Sequence, residues 1–164
     1  MNAAQRLDRV QKAYRIGDPA GAYPIFDAKG SQLHPGRWNT AASPILYTSE
    51  HYSTAMLEKL LHGSGSLPPN QHFIEITIPN GLSYETVTPA TLPRWDDPEP
   101  VASKAFGDAW QRANRSLLLR VPSYVARIEW NILINPEHPE FRQVQRGLHE
   151  PVRWDERLFP VPAP

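Results

Sequence analysis

Phe73-Ile74-Glu75-Ile76-Thr77-Ile78 alternates without a break, with Ile74, Ile76 and Ile78 on one side and Phe73, Glu75 and Thr77 on the other. A period of two over six residues predicts a strand with one apolar and one more polar face, the habit of antiparallel sheets. Working outward, Asn80-Gly81 reads as a turn into a second strand over 82–87. Upstream, Met56, Leu57, Leu60 and Leu61 repeat at helical spacing, so 50–62 reads as a helix with that apolar stripe, N-capped by Ser49 and ended by Gly63 and Gly65. Ile45–Thr48 is a short strand. The chain from Gly17 to Pro44 is a long loop rich in Gly, Pro, Asp and Ser, and loops of that length commonly carry function. Before it, residues 3–13 read as a short helix and Lys12–Ile16 as a strand.

Downstream, beyond a proline-rich stretch at 89–100, residues 101–114 read as a helix with Val101, Ala105, Phe106, Ala109 and Trp110 on one side. Ser116–Val121 reads as a buried strand stopping at Pro122. Tyr124–Ile134 reads as another, with Ile128, Trp130, Ile132 and Ile134 on one face, and Val152–Phe159 as an edge strand. Strands and helices mix without regular β-α alternation. The expectation is an α+β fold, one compact domain over residues 1–164, with a mixed, mainly antiparallel sheet flanked by short helices.

Composition narrows the function classes. At 164 residues the chain suits one domain with a single core. Seventeen basic and seventeen acidic side chains cancel, which removes the basic excess expected of a nucleic-acid binder. Without cysteine, disulfides, thiolate nucleophiles and Cys-based zinc sites are excluded. The first twenty residues show no secretory signal and no stretch is long and apolar enough to span a membrane, so a cytoplasmic, soluble protein is expected. The 18 prolines are dispersed and punctuate loops, forming no repeat.

Several residues bear chemistry. Arg37 follows Gly36 in His34-Pro35-Gly36-Arg37-Trp38-Asn39-Thr40; its planar fork suits phosphate or carboxylate, Gly36 permits close backbone approach, and Trp38 offers a stacking wall. A surface arginine beside a packed tryptophan is the plainer alternative. Glu58 lies away from the centre of the Met56/Leu57/Leu60/Leu61 stripe. It is either solvated or lines a cleft, where a carboxylate could stabilise the oxocarbenium-like cation of N-glycosidic cleavage. Ser123, after Pro122, lacks a G-x-S-x-G elbow, so hydrogen bonding suits it better than attack, and a turn-forming serine is the alternative. Tyr14 and Tyr47 are core, rim or stacking residues, and Arg15 is a second phosphate contact or an ordinary surface charge. The six histidines show no metal-ligand spacing, and no Gly-rich nucleotide loop is present.

In this order, Tyr14-Arg15, Gly36-Arg37-Trp38-Asn39, Ile45-Leu46-Tyr47, Ala55-Met56-Leu57-Glu58, Val121-Pro122-Ser123 and Asn135-Pro136-Glu137-His138-Pro139 resemble the RES domain family, named for an arginine, a glutamate and a serine. The resemblance runs over about 12–145 and leaves 146–164 as a C-terminal tail. It implies a fold related to ADP-ribosyltransferases and the toxin half of a type II toxin–antitoxin module with an Xre-like antitoxin partner. It also implies NAD+ as substrate, broken at the nicotinamide–ribose bond by water or inorganic phosphate. Protein ADP-ribosylation, or a silent NAD- or partner-binding module, stands as the alternative. Metal, membrane and direct nucleic-acid partners are not implied. Carried over by position, Arg15 and Arg37 would hold the pyrophosphate or adjoining ribose, and Tyr47 would stack on the nicotinamide ring. Glu58 would stabilise the ribosyl cation, Ser123 would bond the nicotinamide ribose or carboxamide, and Asn135 would stand beside the pocket. The chain departs from the family pattern at Pro35, where a second glycine is common, and after Asn39, where Thr40-Ala41-Ala42 replaces a glycine.

Overall fold

The computed structural model describes residues 3–63, 66 and 69–160. In chain order the elements are β1 (Gln5–Arg6), β2 (Gln11–Gly17), α1 (Lys29–Leu33), β3 (Leu46–Ser49), α2 (Tyr52–His62), β4 (His72–Ile78), β5 (Ser83–Thr86), α3 (Val101–Arg112), β6 (Leu118–Pro122), β7 (Trp130–Ile134), β8 (Gln145–Arg146) and β9 (Glu150–Pro151). The strands join in one sheet of order β1-β5-β6-β7-β3-β2-β4-β8, with β9 also on β4. Every described pairing is antiparallel except β5 with β6. This is the α+β architecture that the unalternating element order predicts.

The sheet has one seam. β2 pairs with β4 along its whole length, from Gln11↔Ile78 to Gly17↔His72, but meets β3 at the single pair Tyr14↔Ser49. Because side chains alternate across a strand, each face can be followed from one strand to the next. One face is mainly apolar: Ala13, Ile74, Ile76, Ile78, Leu46, Leu118, Ile132 and Ile134 pack with Ile25, Leu82 and Leu117, and Arg15, Thr48 and Arg120 share that side. The opposite face carries Leu119, Val121 and Leu133 under Trp110 of α3, and Ile16 under Ala55 of α2. The two helices thus share one face and flank a strip containing Tyr47, Ser49 and Asn131.

Several elements differ from the sequence expectation. Residues 3–13 form no helix: β1 adds to the edge of the sheet beside β5, and only Leu7 among its neighbours reaches the core. Ser49 is the last residue of β3 and caps nothing; extended His51 precedes the helix, and Gly63 follows it while Gly65 lies outside the described residues. Helix α2 also presents the other side to the sheet. Thr54 and Ala55 are buried, while Leu57 and Leu61 are 44% and 57% exposed.

In α3, Trp110 is buried as expected, but Val101 is 73% exposed and Ala105 and Ala109 face outward, while Ser103, Gly107 and Gln111 are buried beside Trp110. Gly107 decides this, because a Cβ there would stand 1.8 Å from the Trp38 carbonyl oxygen: the helix packs backbone to backbone on the Arg37 loop. Ile128 is 94% exposed, since 123–129 is a tight turn closed by Ser123 N–H to the Glu129 carbonyl (2.9 Å) and Glu129 N–H to the Ala126 carbonyl (2.8 Å), and the strand begins only at Trp130. The expected edge strand at Val152–Phe159 is absent. Its place is taken by β9, after which Glu156–Leu158 forms a 3-10 turn. Among the described residues no helix is long and apolar enough to cross a membrane.

Candidate active site

The strip between α2 and α3 gathers side chains distant in sequence. Glu58 projects from the inner side of α2, and its Oε1 accepts the Ser123 hydroxyl at 3.0 Å and the Asn131 amide at 2.7 Å. Asn131 is itself fixed by the Ser49 hydroxyl, which donates to Oδ1 at 2.7 Å. Ser123 is fully buried at the end of β6, and its oxygen also accepts the Ala126 N–H at 3.0 Å. Glu58 Oε2 has no partner among the described residues. One carboxylate oxygen is therefore clamped by two donors while the other stays available, with the orientation set by a serine–asparagine relay across the β3–β7 pair.

The Arg37 loop forms the neighbouring wall. The Tyr47 hydroxyl donates to Asn39 Oδ1 (2.8 Å) and accepts the Trp38 N–H (3.0 Å), and Gly36 packs so close that a Cβ would lie 2.8 Å from that hydroxyl. Burial, first of all, pushes the Tyr47 phenol far above its ordinary value, so the hydroxyl keeps its proton. Asn39 in turn accepts the Gly36 N–H and donates to the Ser31 and Ser43 carbonyls. On the α3 side, Asp108 takes the Thr40 N–H at 2.9 Å and its hydroxyl at 2.7 Å. Trp38, expected as a ligand-stacking wall, is buried and stacks on Trp95 instead.

Arg37 spends one nitrogen, Nη1, on the Trp95 (3.2 Å) and Asp97 (2.7 Å) carbonyls and lies 4.1 Å over the Tyr124 ring. Its Nε and Nη2 have no hydrogen-bond acceptor among the described residues, leaving a bidentate edge. Tyr124 follows Ser123 and is covered on its other contact by Arg127 at 4.4 Å. The arginine and serine segments are thereby in direct contact.

Arg15 differs. Its Nε bonds the Ile25 carbonyl (2.6 Å), Nη1 the Tyr47 carbonyl (2.8 Å) and Nη2 the Asp27 carbonyl (3.4 Å), so it fills the seam where β2 leaves β3. Burial lowers its pKa to about 10, against a smaller opposing effect of Asp27. Lys59, next to Glu58, is also held below its ordinary value, by burial first and by the Arg15 charge second, with Asp18 opposing.

Asn135 stands apart. It lies four residues beyond Asn131, roughly 13 Å along an extended chain, and its amide joins the Gln111 carbonyl (3.1 Å) to Asn114 Oδ1 (2.8 Å) at the end of α3. Asn131 and Ser49, which orient Glu58, escaped sequence reasoning. The one signal for them is strand register, which puts Ser49 opposite Asn131. Two cavities, of about 430 Å³ around Tyr23, Phe26 and Lys29 and about 460 Å³ around Arg94, Arg127 and Trp130, are lined by neither Glu58 nor Ser123.

Among known proteins, the chain is 37% identical over 150 residues to "Prs ADP-ribosylating toxin" of Sphingobium sp. (strain YBL2), covering 84% of this chain and 93% of the relative. It is 30% identical over 141 residues to "Toxin Res" of Pseudomonas putida, covering 84% and 95%. The M. tuberculosis MbcT–MbcA toxin–antitoxin complex contains a chain of the same fold, with a TM-score of 0.71 at 14% identity over 90% of this chain and 86% of that one. The model of the RES domain matches residues 12–155, nearly the whole length, and the chain belongs to the RES domain family.

Proposed function

We propose that this chain is the toxin of a toxin–antitoxin module and that it consumes NAD+ by cleaving the nicotinamide–ribose bond. The carrying observation is the Glu58 carboxylate, held at one oxygen by Ser123 and Asn131 and free at the other. When the C–N bond breaks, its electron pair leaves with nicotinamide and positive charge grows on the ribose. A preoriented carboxylate oxygen stabilises that charge without having to reorganise. Water then attacks the sugar and yields ADP-ribose and a proton, or inorganic phosphate attacks and yields the phosphorylated sugar.

The other residues divide the substrate. Arg37 offers its Nε/Nη2 edge to the pyrophosphate, and Arg15 adds positive charge from the seam. The Tyr47 ring stacks on the cationic nicotinamide. Ser123, fully buried with its hydroxyl proton on Glu58, serves the nicotinamide ribose chiefly by orienting that carboxylate. Asn135 supports this pocket only through α3. An antitoxin of the Xre type is the proposed partner, and the cytoplasm, where NAD+ is available, the proposed site of action. The relative named an ADP-ribosylating toxin supports a second reading, transfer of ADP-ribose to a protein from the same pocket.

The test is to incubate the purified chain with NAD+, with and without phosphate, and follow nicotinamide. Release is expected in the wild type, and Glu58→Gln should lower turnover on the order of 10²- to 10³-fold while leaving the melting temperature nearly unchanged. No release under either condition sinks the NAD-consuming reading, and near-normal turnover by Glu58→Gln removes the carboxylate from its role. Labelled NAD+ in a cell lysate separates the acceptors: labelled protein supports transfer, and free ADP-ribose or its phosphate supports breakdown.

A further inference from the structure

Glu58 and Ser123 belong to segments that share no ladder. Glu58 sits on α2, and Ser123 begins the 123–129 turn. Their 3.0 Å contact needs something to hold helix and turn at a fixed separation, because the bonds from Ser123 and Asn131 fix one carboxylate oxygen and not the helix that carries it. Glu129 occupies the position that does it. Its carbonyl accepts the Ser123 N–H at 2.9 Å and its own N–H donates to the Ala126 carbonyl at 2.8 Å, so its backbone closes the serine turn. Its carboxylate points the other way. Oε2 accepts the Thr54 hydroxyl at 2.6 Å and lies 2.9 Å from His51 Nδ1, and both partners belong to the first turn of α2 or its N-cap.

The geometry matters because of where Thr54 lies. Thr54 and Glu58 are four residues apart and therefore share one helix face. A latch at Thr54 fixes the height and rotation of α2 one turn before Glu58. The Thr54 side chain is buried, so its hydroxyl would be unsatisfied without the Glu129 carboxylate, whereas the Glu129–His51 contact is half-exposed and weaker. The next bond in the chain, Glu50 N–H to the Trp130 carbonyl (3.0 Å), anchors the start of the helix to the start of β7 but leaves its rotation free.

We infer that Glu129 is a positioning residue: through Thr54 it sets the rotation of α2 and thereby the Glu58–Ser123 distance. The inference rests on the proposed NAD+ cleavage for its kinetic readout and on geometry alone for its structural one. In this reading Glu129 acts through Thr54 and the helix, although its residue also borders the cavity around Arg94, Arg127 and Trp130. Its loss therefore acts on the chemical step, where a misplacement of about 1 Å can cost on the order of 10²-fold, more than on substrate capture.

The experiment compares Glu129→Ala, Glu129→Gln and Thr54→Val in the full chain, by steady-state nicotinamide release and by amide hydrogen exchange. Glu129→Ala should lower kcat on the order of 10- to 100-fold with KM for NAD+ changed less than about threefold. Glu129→Gln, whose amide oxygen still accepts from Thr54, should recover most of that loss, and Thr54→Val should reproduce it. Exchange should quicken over 52–56 and 123–126 in Glu129→Ala and stay near wild type in Glu129→Gln. Unchanged kcat, a loss carried by KM, failure of the glutamine to rescue, or unaltered exchange in the alanine variant each overturns the latch. If the wild type releases no nicotinamide, the functional reading fails by itself, and exchange still decides whether Glu129 holds the helix.

Discussion

Helices α2 and α3 lie on the same face of the sheet and are held in opposite ways. Helix α3 is seated by shape: Trp110 is wholly buried with its Nε1 on Ser116 (2.8 Å), and Gly107 lets the helix touch the Trp38 backbone. Helix α2 combines a small apolar contact, Ala55, Met56 and Tyr52 on Ile16 and Phe73, with polar groups, Thr54 on Glu129 and Glu58 on Ser123 and Asn131, while Leu57 and Leu61 remain outside. The difference teaches that a polar, hydrogen-bonding face and a packing face compete for the same side of a helix. Where the inner side must carry a carboxylate, the apolar stripe is displaced outward and the helix gives up part of its hydrophobic anchorage.

The sharpest way to break the comparison is Gly107→Ala. Helix propensity alone would favour alanine by about 1 kcal/mol. The methyl, however, would stand 1.8 Å from a backbone oxygen that no rotamer can move. The clash wins, and a loss above about 3 kcal/mol is expected by chemical denaturation; a stabilised variant would show that α3 is not seated by shape. Acid comes next. Burial raises the Asp108 carboxyl, but its hydrogen bonds from Thr40 and the Arg112 charge outweigh that and bring it below its ordinary value; Glu140 behaves alike through Ser83 and Arg6. A carboxyl depressed on folding contributes stability above its unfolded pKa, near 4, and loses it as pH falls through the folded value. Stability should therefore decline below about pH 4, and Asp108→Asn should flatten that decline when melting temperature is followed against pH. The smallest effect is expected on the outer side of α2. Leu61→Gln should change stability by no more than about 0.5 kcal/mol, whereas a cost of several kcal/mol would place that leucine in a core.

Much of this was legible in the chain. The Phe73–Ile78 alternation became β4 with its isoleucines buried, and residues 65 positions apart, Glu58 and Ser123, meet at 3.0 Å. The illegible parts share a cause. Periodicity reports which side of a helix is apolar, and in α2 that side is not the one facing the sheet. The exposure of Ile128 follows from a turn closed by backbone bonds, which leave no mark on side-chain type. Ser49, Asn131 and Glu129 are ordinary polar residues whose meaning comes from register and from a partner more than 70 residues away, as in Asn131 with Glu58 and Glu129 with Thr54. Nothing in the sequence marks Gly107, whose need for glycine comes from the Trp38 backbone across the interface.

The seam at Arg15 bears on how mutant phenotypes are to be interpreted. A guanidinium that takes the Tyr47, Ile25 and Asp27 carbonyls does the work of the missing β2–β3 ladder. An arginine that falls in a family motif invites the reading that its loss abolishes ligand grip. Here loss of Arg15 would also remove three carbonyl contacts at the seam, so an inactive Arg15→Ala is not by itself evidence of lost ligand grip. Arg37 keeps an edge without an acceptor among the described residues, on which that grip can be tested.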